Sequence, residues 1–184
     1  LALAVDTDAR AQLRVEFASR RLEEMVEVAA TSKNTGSGNV QLAADRFRSE
    51  VANIQQELTV EGTTQSQTAF AKSVGRKVEA YSSTVASTGD DLPEEVLGEV
   101  EEILEETKEQ VVQVIITAHE SEQDEDSAHE LDVALAAEMQ SIGAQYGDAA
   151  GEAIATAEAL RKEGLYRRAF QVLKDFIFEA ELVP

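Results

Sequence analysis

Between Asp91 and Glu120 the chain reads DLPEEVLGEVEEILEETKEQVVQVIITAHE, and the spacing of its apolar residues leaves little choice of structure. Val96, Val100, Ile103, Thr107, Val111, Val114 and Ala118 follow one another at steps of four and three. That repeat stacks side chains on one face of an α-helix and cannot line one face of a strand. Leu97, Leu104 and Ile115 widen the stripe, and the opposite face is nearly all glutamate. Such a helix has to bury its stripe against other helices. The expectation is an all-α fold, an up-and-down helical bundle of five to seven helices.

The other periodic stretches fit that expectation. A helix starting at the capping group Asp6-Thr7-Asp8 runs to about Ala30, with Ala11, Val15, Ala18, Leu22, Met25, Val26 and Ala29 inward, and with Leu13 and Phe17 broadening the stripe. On it, Glu16 to Arg20 and Arg20 to Glu24 have the spacing of surface ion pairs. The tract TSKNTGSG, 31–38, reads as a flexible loop joining two antiparallel helices. Val40, Ala44, Phe47, Val51, Ile54 and Leu58 mark a second helix, broken at Gly62. Phe70, Val74, Val78, Tyr81 and Val85 mark a third, weakened by Gly75. Residues 87–91 read as a loop, with Pro93 in the first turn of the acidic helix. SEQDEDS, 121–127, reads as an exposed loop or frayed helix end. Leu131, Leu135, Met139, Ile142 and Tyr146 then resume the stripe; Asp148 is a candidate cap, Ala150, Ala153, Ile154, Ala157 and Leu160 lead to Gly164, and a last helix carries Ala169, Val172, Leu173, Phe176 and Ile177. The whole reads as one domain, 1–184, or as helical hairpins over 1–89 followed by the acidic helix and a C-terminal hairpin over 90–184.

Charge separates these segments more sharply than hydropathy does. Residues 1–89 hold 11 acids and 10 bases, residues 90–132 hold 17 acids and one base, and residues 133–184 hold 8 acids and 5 bases. A net charge of −20 concentrated in the middle of the chain repels phosphate backbones and anionic membranes, which argues against nucleic acid as a partner. Cations, or a protein with a basic surface, fit it better. The longest nearly unbroken apolar run, VVQVIITA, is far shorter than the roughly 18 residues a membrane span needs. With no cysteine in the chain, disulfides and thiol chemistry are excluded. Leu1 stands where an initiator methionine would be, so LALAV reads as the exposed end of a processed precursor or of a trimmed chain.

Two resemblances rest on particular residues. Asp6-Thr7-Asp8-Ala9-Arg10-Ala11-Gln12-Leu13, followed by Glu16-Phe17-Ala18-Ser19-Arg20-Arg21-Leu22-Glu23-Glu24, resembles the opening of a bacterial domain family of unknown function. That family is found outside the cytoplasm behind a signal peptide or membrane anchor, sometimes in anti-sigma-factor-like architectures. Thr7 stands where the family tends to have proline, and the amphipathic segment that usually precedes is missing. The resemblance implies an extracytoplasmic helical bundle with no assigned chemistry. At the other end, 159–170, ALRKEGLYRRAF, looks like the inter-helix turn of a tetratricopeptide repeat: glycine ends one helix, tyrosine packs over the turn and a small alanine lets the next helix sit close. A repeat array needs about three such units and one is visible, so the segment reads as a helical hairpin.

Candidate chemistry is sparse. His119 with Glu122, and His129 with Asp132, have the spacing that puts two metal ligands on one helical face. Asp124, Glu125 and Asp126 offer oxygens for calcium, without the glycine and twelfth-position glutamate of an EF-hand loop. In so acidic a stretch carboxylates fall near any histidine, so both histidines read as solvated surface residues. No catalytic motif or cofactor fingerprint is present. Arg20-Arg21 and Arg167-Arg168 are expected to pair with the chain's own acids or to face water. What remains are surfaces: the acidic face at Glu99, Glu102, Glu106 and Glu109, and the small-residue ridge Gly143, Gly147, Gly151, where a neighbour or a second copy can approach. The function these imply is a non-enzymatic interaction module, a scaffold or assembly subunit, which the N-terminal resemblance places outside the cytoplasm. A calcium- or zinc-binding acidic surface protein is the second reading and a small helical enzyme the third.

Overall fold

The computed structural model describes residues 7–31, 38–58, 65–122 and 125–182, without the side chains of residues 7–11, 65, 66, 122 and 125. LALAV, the Asp6-Thr7-Asp8 cap, the side chain of Ala11, the interior of the TSKNTGSG tract and the Gly62 break lie outside the described residues. The protein is an all-α helical bundle: α1 (Thr7–Thr31), α2 (Gly38–Leu58), α3 (Gln65–Thr88), α4 (Glu94–Glu122), α5 (Glu125–Tyr146), α6 (Gly151–Lys162) and α7 (Tyr166–Leu182). Short 3-10 turns, Gly89–Asp91 and Gly147–Ala150, precede α4 and α6, and no strand occurs among the described residues. The chain forms two compact units, Leu1–Val114 and Ile115–Pro184. The boundary therefore falls inside α4, not in the segment before it.

In the first unit, cross-links between side chains give the directions of the helices. Arg14 of α1 lies 3.2 Å from Glu57 of α2, and Arg46 of α2 bonds Glu24 of α1 at 3.1 Å, so α1 and α2 run antiparallel. Arg48 Nη1 reaches Glu99 of α4 at 2.7 Å and Gln55 reaches Thr107 at 3.1 Å, so α2 and α4 run parallel. Every member of the α2 repeat named above is buried. Tyr81 closes the core. Its ring meets Phe47 edge to face at 5.8 Å; its hydroxyl donates to the Val15 carbonyl at 2.9 Å and shares a 2.7 Å hydrogen bond with Ser19 Oγ. One side chain from α3 thus joins α1 and α2, and its buried polar atom is satisfied.

Several details of the stripes differ from the sequence expectation. On α4 the buried line is Val96, Val100, Leu104, Thr107, Val111 and Ile115, with Ile103 and Val114 only half-buried. Leu104 displaces Ile103 because the helix advances 100° per residue, and four-residue steps follow a face as well as the alternation does. Leu13 and Phe17 are 46% and 40% exposed and do not broaden the α1 stripe; Val26 is half-buried, and Ala71 takes the place expected of Phe70. Glu24 pairs with Arg21 and Arg46, not with Arg20. Gly75 does more than weaken α3, since a Cβ there would lie 3.1 Å from Val111 Cγ1; its absence lets α3 and α4 come close. The segment at 87–91 is helix and 3-10 turn, and Leu92 after it is buried.

The second unit follows the same logic. Asp132 bonds Arg161 while Gly143 faces Ile154, so α5 and α6 are antiparallel; Asp132 meets Tyr166 while Tyr146 meets Phe176 edge to face, so α5 and α7 are parallel. Leu131, Leu135, Met139, Ile142, Ala150, Ala157, Ala169, Phe170 and Leu173 fill the core. Gly147 has φ +56° and turns the chain out of α5, a conformation that favours glycine. Asp148 sits inside the 3-10 turn, and neither helix start beside it has a side-chain cap bond. At the end of α6, Gly164 has φ +73°. Its amide donates to the Arg161 carbonyl at 2.9 Å and the Leu165 amide to that of Leu160 at 2.9 Å, the paired closure of a Schellman motif. Ser127, expected in an exposed loop or frayed helix end, is fully buried in the first turn of α5; of SEQDEDS, residues 121, 122 and 125–127 are helical, and 123 and 124 lie outside the described residues.

Two sets of substitutions test this packing. Val51→Asp and Leu104→Asp place an unpaired charge in the core, at a cost of several kcal/mol, and should abolish cooperative unfolding followed by circular dichroism, whereas Ile103→Asp should leave the protein folded. Gly98 lies in α4 with open space around it, so Gly98→Ala should stabilise by up to about 1 kcal/mol. Gly75→Ala should forfeit that gain against Val111, whose branched side chain is stiff in a helix.

Candidate functional site

The residues singled out in the sequence fall into two groups. The first is the back of α4. Glu95, Glu102, Glu106 and Glu109 are exposed along one line of the helix, and Glu94, Glu101 and Glu105 along the next. Lys108 reaches Glu105 at 3.2 Å. Like charges one turn apart, as at Glu101/Glu105 and Glu102/Glu106, oppose helix formation by a few tenths of a kcal/mol each. Glu99 is different. Half-buried, it accepts from Arg48 at 2.7 Å and from Gln41 at 3.3 Å, so it is a tie between α4 and α2 and not part of the open acidic face.

The second group surrounds Tyr166 at the start of α7. Its ring is buried and meets His119 edge to face at 5.2 Å. Its hydroxyl donates to Asp132 Oδ1 at 3.2 Å, and the same oxygen accepts from Arg161 Nε at 2.8 Å. Burial, and behind it the Asp132 carboxylate, push the Tyr166 phenol above its ordinary value, so it remains a donor. Next to it Arg167 Nη2 and Nε bond Glu120 at 2.8 and 3.0 Å. That pairing holds Glu120 below the usual carboxylate range and raises Arg167. Arg161 and Arg167 were not visible as members of such a group, because their partners lie 29 and 47 positions away in the chain.

Among the described residues, this arrangement does not bring the candidate metal ligands together. Among the described residues no three His, Asp or Glu side chains converge. Asp132 is engaged by Arg161 and Tyr166, His119 is half-buried against a ring, and His129 and Asp126 are exposed. Asp124 and the side chain of Glu122 lie outside the described residues. The glycine ridge is likewise divided: Gly143 belongs to α5, Gly147 to the 3-10 turn and Gly151 to α6. A Cβ at Gly143 would touch Ile154 at 3.5 Å, while Gly147 and Gly151 have open space. Their four-residue spacing therefore does not line one helical face.

Compared with protein-family models, curated proteins and solved structures, the chain gives no match.

Two measurements check these electrostatics. Glu120 has its folded value depressed, so its ion pair stabilises above the unfolded carboxylate's value and the contribution is lost as pH falls through the folded one. With both side chains about half exposed the effect is below about 1 kcal/mol. Glu120→Gln should lower stability at neutral pH and leave the acid limb of the melting-temperature profile flatter. If cations act on the acidic segment only by screening, the melting temperature should climb gradually with sodium chloride, with little added by calcium or zinc at matched ionic strength. A saturable shift at low calcium or zinc, removed by His119→Ala with His129→Ala or by Asp124→Asn with Asp126→Asn, would show a defined site.

Proposed function

We propose that the chain is a non-enzymatic interaction module, a scaffold or assembly subunit working outside the cytoplasm, and that the acidic back of α4 receives a protein with a basic surface. The observation that carries this reading is the run of exposed carboxylates at Glu94, Glu95, Glu101, Glu102, Glu105, Glu106 and Glu109. Self-repulsion makes such a surface a liability to the fold, and a complementary partner relieves it while the field speeds and orients encounter. The extracytoplasmic placement draws on the N-terminal resemblance and on the acid-rich, lysine-poor composition.

The test is capture from the protein's native cells at low and high salt, with the wild-type chain and with Glu102→Gln, Glu106→Gln and Glu109→Gln combined. Glu99 is left intact because of its bond to Arg48. The expected result is a set of basic proteins retained at low salt, released at high salt and lost in the variant. Equal capture by both chains would remove α4 as the recruiting surface.

A further inference from the structure

The last two turns of α7 are apolar on more sides than the described residues of its own unit cover. Of residues 176–182, FIFEAEL, five are apolar. Phe176, Ile177 and Ala180 are half-buried on the inner side, Phe176 against Tyr146 at 5.3 Å. On the outer side Phe178 is 66% exposed and Leu182, one turn on, 65%. The same outer line begins with Gln171 and Asp175, hydrogen-bonded to each other at 2.7 Å, so its first half is built for water and its second half is not. Scattered single apolar residues on a surface need no explanation. A helix apolar on opposite faces, by contrast, is normally covered on both.

The chemistry around the pair selects among occupants. Asp175, Glu179 and Glu181 are exposed beside it, these turns hold no base, and Lys174 just before them is half-buried and already engaged. An apolar pair rimmed by carboxylates repels anionic lipid headgroups and a second copy of a chain whose net charge is −20. It matches an amphipathic helix that presents two apolar residues one turn apart between lysines or arginines. We propose that Phe178 and Leu182 are the docking site for such a basic amphipathic helix of a partner protein. This rests on the reading of the chain as an interaction module and adds to the acidic face of α4 a second surface that gives apolar anchorage.

The probe is a short synthetic amphipathic helix with leucines on one face and lysines on the other, titrated at low salt, with a control in which glutamate replaces lysine. The expected result is saturable binding of the lysine peptide and none of the control. Phe178→Ser with Leu182→Ser should weaken it at least about tenfold, an amount well within what two buried apolar anchors supply. Both residues are exposed, so the variant should keep the wild-type helicity and melting temperature. Glu179→Lys with Glu181→Lys, which leaves the apolar pair in place, should also weaken the lysine peptide. The combined Glu102, Glu106 and Glu109 variant should leave its affinity within about twofold. Binding that survives the loss of Phe178 and Leu182 but disappears with the α4 variant would overturn this site and leave the acidic-face reading standing. Failure of the lysine peptide to bind at all would overturn this site and leave the acidic-face reading to its own capture test. A wild-type dimer in sedimentation equilibrium that the Phe178→Ser, Leu182→Ser variant abolishes would assign the surface to a second copy and overturn the partner proposed.

Discussion

Burial of the Tyr81 side chain is the interaction around which the first unit is built. An aromatic ring supplies a large apolar area, but its hydroxyl cannot enter a core without a partner. Here the ring rests on Phe47 of α2 while the hydroxyl is met by the Val15 carbonyl and Ser19 of α1. Apolar stripes alone would let helices slide along or rotate about one another at small cost. A buried hydroxyl with two defined partners singles out one register, because any slip leaves it unpaired. Burial raises the Tyr81 phenol above its ordinary value, with Ser19 acting against the shift, which favours the neutral, hydrogen-bonding form. Thr107 repeats the device on α4: fully buried, it donates to the Ile103 carbonyl and accepts from Gln55.

The second unit uses a tyrosine in a more polar way. Tyr166 buries its ring after the Gly164 turn, yet its hydroxyl ends on a carboxylate that Arg161 also holds. That small network ties α5, α6 and α7 together at one point and absorbs charges that the sequence alone would leave open to metal binding. The packing leaves exposed the carboxylates along α4 and the outer side of α7, where acid and apolar residues meet.

Fold class was legible because helical periodicity is a local property. The α2 repeat from Val40 to Leu58 is buried as its spacing required, and Gly164 ends α6 where its position after Lys162 suggested. What periodicity could not rank were neighbouring apolar residues on one helix. Ile103 and Leu104 both fit a core stripe, and only the arrangement of α2 and α3 against α4 decides between them; Leu13 and Phe17 fit the α1 stripe and are left half outside it. Pairings were less legible still. Nothing near Glu99 or Asp132 in the chain announces Arg48 or Arg161, since a surface carboxylate and one that ties two helices look alike until the fold brings its partner in. The glycines show the same limit. Gly75 is a close approach, Gly147 a left-handed turn and Gly143 a contact with Ile154, three physical reasons behind one residue type.

If Tyr81 sets the register of the first unit, its hydroxyl and Ser19 should be energetically coupled. A double-mutant cycle of Tyr81→Phe and Ser19→Ala, read by urea unfolding, measures that coupling directly. The expected result is a loss of about 1 kcal/mol for Tyr81→Phe, with a non-additive remainder of at least about 0.5 kcal/mol in the double variant. Full additivity, with Tyr81→Phe as stable as the wild type, would contradict it and leave the helices held by their apolar stripes alone.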